Sequence, residues 1–199
     1  MNIIEFQGEK YEILLTEKQL NRIIRKLAKK ALSILKKKNI TKIIVIMVYK
    51  GAIYFATKFL TYLSKYILKE NLDIDVIDDG IIVRAYNEDN VPLANIEILY
   101  DLQSNVRGEH VFILEDYSDR CITFPAVIRN IENRYPASLT SFAMLGNSEF
   151  NDRLIKIKQS FDIEIGKILN KPGWISGHGL DNKHKGRGWP CIVRKIVAA

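Results

Sequence analysis

The stretch VFILEDYSDRCIT, Val111 to Thr123, decides how the rest of the chain is read. Val111 to Leu114 is apolar and reads as a buried strand, which delivers two adjacent carboxylates, Glu115 and Asp116. A third, Asp119, begins a turn ahead of an expected helix. Open α/β sheets bind their ligands at the carboxyl ends of strands. A turn leading into a helix N-terminus offers backbone N–H groups to an anion. Acids suited to sugar hydroxyls beside such a cradle imply a phosphorylated ribose. Alone, the stretch reads equally well as a solvated strand-to-helix connection, so the remaining sequence has to decide.

Working outward, Lys42 to Val48 is a continuous β-branched apolar run, the pattern of a strand covered on both faces. Ahead of it, Glu12 to Leu15 reads as a short strand, and Thr16 with Gln19 forms a capping-box signature. Leu20, Ile23, Ile24, Leu27, Ala31, Ile34 and Leu35 then recur at helical spacing, with a stop expected near Asn39. A second amphipathic helix follows the Lys50-Gly51 turn, marked by Ala52, Phe55, Ala56, Phe59, Leu63 and Ile67. Leu72 to Ala85 is strand-like, with a bend expected at Asp78-Asp79-Gly80. Tyr86 to Asn95 is polar, contains a proline and is expected to be a loop of lid length. Ile96 to Leu102 and Leu139 to Leu145 are further strands, and Ile122 to Ile131 a helix with Pro125 in its first turn. Alternating strands and helices imply an α/β fold on a mainly parallel sheet. After about Gly146, short β segments (Phe161 to Ile165, Trp174 to Ser176, Cys191 to Val193) alternate with Gly-rich basic turns, which suggests a small subdomain over the ligand edge.

At 199 residues and 47% hydrophobic, the chain can bury a full core. No apolar run is long enough to cross a bilayer. The start, MNIIEFQGEK, carries Glu5 and lacks the apolar core and cleavage site of a secretory signal. Two cysteines, Cys121 and Cys191, are too few for a disulfide framework or metal cluster, and a cytoplasmic setting is expected. The formal charge of +7 favours anionic partners without choosing among them. The first-helix cluster from Lys18 to Lys38 reads as a solvated face, whereas the basic residues from Lys171 to Lys195 are interleaved with Gly, His and Trp, which favours binding.

Three further places add to the acidic loop. Tyr49-Lys50-Gly51-Ala52 lies where a buried strand meets a helix; Gly lets backbone approach a ligand, and the helix end with Lys50 favours a polyanion. Near the C-terminus, Lys171 precedes Trp174, Ile175 and Asp181, a set suited to a flat heterocycle bearing a carbonyl. A core Trp and a surface Lys explain the same letters. Arg187 supplies a forked donor for phosphate oxygens, or is simply a surface Arg.

Taken in order, these pieces resemble the 6-oxopurine phosphoribosyltransferases of the hypoxanthine-guanine type, over roughly Leu14 to Val193. The resemblance implies a type I phosphoribosyltransferase-like fold: an α/β core over 1–146, with a mainly parallel twisted sheet flanked by helices. A small C-terminal, purine-binding hood subdomain would occupy 147–199, with the N-terminal residues as candidates to join it. The implied reaction is purine salvage: transfer of the 5-phosphoribosyl group from 5-phosphoribosyl-1-pyrophosphate (PRPP) to guanine or hypoxanthine, giving GMP or IMP and pyrophosphate, with Mg2+. On that resemblance Asp119 is the catalytic base at purine N7, and Glu115 and Asp116 hold the ribose, directly or through magnesium. Arg120, Cys121, Ile122 and Thr123 wrap the 5′-phosphate, while Lys50, Gly51 and Arg187 take pyrophosphate. Lys171 reads the 6-oxo group, Trp174 stacks, the Ile175 backbone bonds the ring edge, and Asp181 serves the purine pocket or a second magnesium. Tyr86 heads the lid. A homodimer or homotetramer is implied, and neither membrane nor nucleic acid is an expected partner.

The chain departs from the family pattern at several positions. Arg120-Cys121 stands where the family has Thr-Gly or Ser-Gly, and Ala85-Tyr86 where it has Ser-Tyr. Pro172-Gly173 reads as an insertion between Lys171 and Trp174, which leaves Lys167 as an alternative purine donor. Cys121 is either a reactive thiol or a small, partly buried filler. A second reading of the whole chain is a nucleotide- or PRPP-sensing module without turnover, motivated by Arg120-Cys121.

Overall fold

The structure, a computed structural model, describes residues 3–86, 92–170, 172–181 and 185–196, with the side chains of 85–86 and 92–95 outside that description. The chain runs through β1 (Ile3–Phe6), β2 (Glu9–Leu15), α1 (Glu17–Lys37), β3 (Lys42–Tyr49), α2 (Ile53–Lys69), β4 (Asp75–Tyr86) and β5 (Pro92–Tyr100). There follow β6 (His110–Ser118), α3 (Thr123–Glu132), β7 (Ser138–Asn147), a 3-10 turn (Ser148–Phe150) and α4 (Asn151–Ser160). The last elements are β8 (Ile163–Leu169), β9 (Ile175–Ser176) and β10 (Ile192–Lys195).

Strand side chains alternate between faces, so a strand apolar at every position has to be covered twice. In β3, Ile43, Val45 and Met47 enter one core with α1 and α2, while Ile44, Ile46 and Val48 enter another with α3 and α4. Full burial of one such side chain contributes about 1.5–3 kcal/mol, which makes β3 the natural centre of the sheet. The order is β5-β4-β3-β6-β7-β8, parallel throughout except for the antiparallel edge strand β5. β3 continues to β4 on one side and the chain then returns to β6 on the other. The resulting switch point opens a crevice at the carboxyl ends of β3 and β6, where doubly wound sheets hold ligands.

Thr16 and Gln19 close a reciprocal capping box on α1. The lysines of α1 face solvent, with Arg25 stacked on Tyr62 and Lys29 on Tyr66 of α2.

Four expectations change. The Asp78-Asp79-Gly80 bend is absent: β4 keeps unbroken register with β3 from Asp75 to Ile82. Gly80 is there because a Cβ would lie 2.0 Å from the Tyr49 ring, and the Asp79 carboxylate accepts from the Gly80 and Ser104 amides. The loop expected over Tyr86 to Asn95 shrinks, because Tyr86 pairs with Pro92 and β5 begins there; 87–91 lie outside the described residues. A proline is tolerated at the start of an edge strand, where one side of the backbone is unpaired. β1 and α4 were not foreseen. Finally, no division between sheets falls at Gly146, since β8 pairs parallel with β7 in the main sheet.

The small sheet has the order β1-β2-β10-β9, so it joins residues 3–15 to 175–195. Trp189 packs edge-on against Phe6 and Tyr11. His178, just after β9, is 1% exposed, and its Nε2 has no hydrogen-bond partner among the described residues. Burial, helped by the Lys58 charge, lowers its pKa from 6.5 to about 4. As pH falls, the unfolded chain takes up this proton first. The associated stability is complete above pH 6.5 and declines towards pH 4. Asn tolerates the left-handed φ of 48° at this position. His178→Asn is therefore expected to abolish up to about 3 kcal/mol of that decline. Urea midpoints of both proteins at neutral and acidic pH measure it, and parallel declines would remove His178 as the source.

Candidate active site

The switch-point crevice holds two cavities that share Glu115 and Thr123. The first, about 190 Å³, is lined by the loop from Tyr117 to Phe124, with Trp174 on its wall. The second, about 420 Å³, takes in Lys50, Gly51, Asp116, Asp181 and Arg187. One chamber is thus aromatic with an acidic edge, and the other carries three cations and three carboxylates.

Two buried carboxylates occupy the junction. Glu115 and Asp116 follow the apolar part of β6; β3 pairs with it as far as Leu114, and β7 continues beside Glu115 and Tyr117. Burial pushes the Glu115 carboxyl well above the usual range, and the neighbouring Asp116 charge adds to this. Burial also raises Asp116, opposed by the Tyr117 amide, which donates to Oδ1 at 2.7 Å, and by Arg187. Glu115 Oε2 has no partner among the described residues. An orphaned buried oxygen of this kind calls for a ligand, because leaving it bare costs about 1–3 kcal/mol.

Gly51 is required by contact with this pair: a Cβ would lie 2.0 Å from Asp116 Oδ2. The Tyr49–Lys50 peptide ahead of it is cis. On the opposite rim the Arg187 guanidinium donates to the Gly179 carbonyl and to Asp181 Oδ1. Gly179 in turn packs against the Gly51 carbonyl. The small sheet is therefore tied to the main one at the second cavity.

The turn after β6 shows how a thiol-bearing residue serves where hydrogen is customary. Cys121 adopts φ 56°, the left-handed conformation that glycine takes freely. Ile122 follows in the right-handed region, and α3 begins at Thr123 with no side-chain cap on its first turn. Alternating hands of this kind aim successive N–H groups at an anion. The turn survives the substitution at a cost of about 1–2 kcal/mol. Burial pushes the Cys121 thiol up, and Ser118 Oγ donates to Sγ at 3.6 Å, so the side chain is a filler and not an activated nucleophile. A β-branched residue is far less tolerant of positive φ. Cys121→Val is expected to lower stability by about 2 kcal/mol or more and to weaken GMP binding, checked by thermal unfolding and calorimetry.

Asp119 stands at the mouth of the first cavity, its side chain 41% exposed. Its Oδ1 accepts from Asn147 Nδ2 at 2.9 Å, and its Oδ2 lies 4.0 Å from Arg120 Nε. Trp174 is 58% exposed, which leaves its ring open to a stacking partner. Ile175 is buried in β9 behind it. Asp181, expected at the purine pocket or a second magnesium, lines the second cavity with Arg187. Lys171 lies outside the described residues, as does the side chain of Tyr86, whose backbone ends β4. Lys167 is exposed on β8 and is not among the described residues lining the Trp174 cavity.

Four contributors were not foreseen. Arg84, which pairs with Glu97, and Leu99, at the register shift between Ile82 and Val83, line the second cavity. Tyr117 lines the first. Asn147 is buried at the end of β7. A polar Gly146-Asn147 ending an apolar strand was the available signal for the last.

Residues 10–172 match the sequence profile of the phosphoribosyl transferase domain. The hypoxanthine-guanine-xanthine phosphoribosyltransferase of Tritrichomonas foetus is 28% identical over 183 residues, covering 90% of this chain and 88% of the relative. The hypoxanthine-guanine phosphoribosyltransferase of Bacillus subtilis (strain 168) is 24% identical over 181 residues, or 91% of each chain. In fold, the chain is similar to a solved hypoxanthine phosphoribosyltransferase from Trypanosoma cruzi in complex with the product IMP, with TM-score 0.78, 24% identity and 96% of each chain covered. With the matched profile spanning most of its length, the chain belongs to the phosphoribosyltransferase family.

Proposed function

We propose that this enzyme transfers the 5-phosphoribosyl group from PRPP to guanine, hypoxanthine or both, giving GMP or IMP and pyrophosphate in purine salvage. The observation that carries the reading is the pair of cavities meeting at Glu115 and Thr123, one suited to base and 5′-phosphate, the other to pyrophosphate.

In this scheme Arg120 to Thr123 and the uncapped start of α3 take the 5′-phosphate. Glu115 and Asp116 hold the ribose hydroxyls at the junction. Lys50, Gly51 and Arg187 receive pyrophosphate in the second cavity, with Arg84 adding charge. Trp174 stacks on the purine, the Ile175 backbone meets the ring edge, and Asp119 accepts the N7 proton. Lys171, or Lys167, donates to the 6-oxo group, and Tyr86 leads the covering loop. The transition state carries positive charge on the sugar and negative charge on the leaving group. Carboxylates on one side and cations on the other match that separation.

Magnesium fits the donors present. Among the described residues no three acidic, His or Cys side chains group to hold a metal alone. Mg2+ instead binds through one or two carboxylates together with substrate phosphates and water. Glu115, Asp116 and Asp181 are the carboxylates of the second cavity that would hold it. When bound, it neutralises charge on the pyrophosphate.

No helix among the described residues is long and apolar enough to cross a membrane. We place the enzyme in the cytoplasm as a homodimer or homotetramer; light scattering tests the assembly. Incubation with PRPP, Mg2+ and guanine, hypoxanthine or xanthine in turn is expected to yield nucleotide with at least one of the first two. Tight GMP binding with no turnover of any purine would replace the enzyme by the nucleotide-sensing module.

A further inference from the structure

We infer that Asn147 is the positioning residue of the base: it fixes the Asp119 carboxylate through a one-way hydrogen bond from the end of β7. The inference rests on Asp119 being the base. Asp119 sits on an exposed turn, and a general base works only within about 2.6–3.2 Å of its proton. A carboxylate on such a turn needs an anchor in the rigid part of the fold.

Asn147 supplies that anchor. It is the last residue of β7, adjacent in the sheet to the end of β6, where Ser118 pairs with Gly146. The residue is 2% exposed, so its amide has to find protein partners. Its Oδ1 accepts from the Glu149 amide at 3.0 Å and caps the 3-10 turn. That contact fixes which end of the amide is which, and turns the NH2 towards Asp119 Oδ1 at 2.9 Å. One oxygen of the base is thereby immobilised by a neutral donor. The other oxygen is left on the Arg120 side, at the cavity mouth. Around Asp119 the other charged or titratable groups include Arg120 and Cys121 on the same turn, Tyr117 of β6, Glu149 of the 3-10 turn and Arg153 of α4, which donates to the Arg120 carbonyl. Burial and the nearby Asp119 carboxylate, to which it can donate, keep the Tyr117 hydroxyl protonated, while the bond that ties Asp119 to the end of β7 is that of Asn147.

Capping and positioning use opposite ends of the amide, and one substitution separates them. Asp caps a helix as well as Asn does, so Asn147→Asp keeps the acceptor for Glu149 while replacing the donor by a second carboxylate. Expected is a fall in kcat of about tenfold or more, with the acidic limb of the kcat profile moved up by about one pH unit as two acids share a site. The KM for PRPP and the thermal midpoint should stay close to wild type. Asn147→Ala, which lacks both ends of the amide, should lose kcat and stability together. An unchanged acidic limb and kcat in Asn147→Asp would overturn the inference, as would a kcat loss there matched by a large fall in thermal midpoint. Asp119→Asn is run in parallel. If it leaves kcat intact, the base assignment falls and this inference with it; if it abolishes turnover while Asn147→Asp keeps the wild-type kcat and acidic limb, only the inference falls.

Discussion

Asp119→Asn is expected to lower turnover by about two to three orders of magnitude while GMP affinity changes by less than about threefold. The variant is nearly isosteric, and its amide oxygen can still accept the Asn147 bond that holds the native side chain at 2.9 Å. Position is thus kept and basicity is lost. GMP has no N7 proton to give up, so product binding should be almost indifferent to the change. Steady-state kinetics with PRPP and the preferred base, beside calorimetry with GMP, provide the two numbers. Equal losses in both would mean that Asp119 only binds.

Gly179→Ala is expected to be strongly destabilising, and it strikes the one glycine whose missing side chain lets the small sheet reach the Gly51 turn. The residue has φ 106°, and an added Cβ would lie 2.1 Å from the Gly51 carbonyl oxygen. Its amide donates to the Arg187 carbonyl at 2.9 Å, and its own carbonyl accepts from the Arg187 guanidinium. The methyl group therefore meets rigid backbone on one side while hydrogen bonds hold it on the other. We expect a loss of about 3–4 kcal/mol, which for a chain of this size lowers the thermal midpoint by roughly 10 °C. The KM for PRPP should rise as well, because Gly51 and Arg187 are displaced together. Calorimetric scans decide the first part; a midpoint within a couple of degrees of wild type would mean that the contact yields easily.

The centre of the fold was legible because its signals are local. β3 announces itself by six consecutive buried side chains, and α1 by a capping box three residues wide. The elements that escaped notice have weak internal patterns and strong partners elsewhere. α4 buries only Leu154 and Ile157, so its helical period scarcely registers. β8 is read as part of a separate unit until its pairing with β7 is seen. β1 is one arm of a hairpin turned at Gln7-Gly8, both at positive φ, a two-residue signal that was overlooked. The acidic loop and the Lys50-Gly51 turn could be found because strand ends bracket them. Arg84 could not, since what brings it to the crevice is sheet register, and Asn147 had only the polar end of an apolar strand to mark it.

The small sheet gives the order of synthesis a catalytic meaning. β10 lies between β2 and β9, so the strand after Trp174 gains its neighbour only when residues 192–195 have been made. A nascent chain still attached to the ribosome can assemble every strand of the main sheet while the wall behind the base is missing. Closing that wall draws together two stretches, 3–15 and 192–195, that lie far apart along the chain.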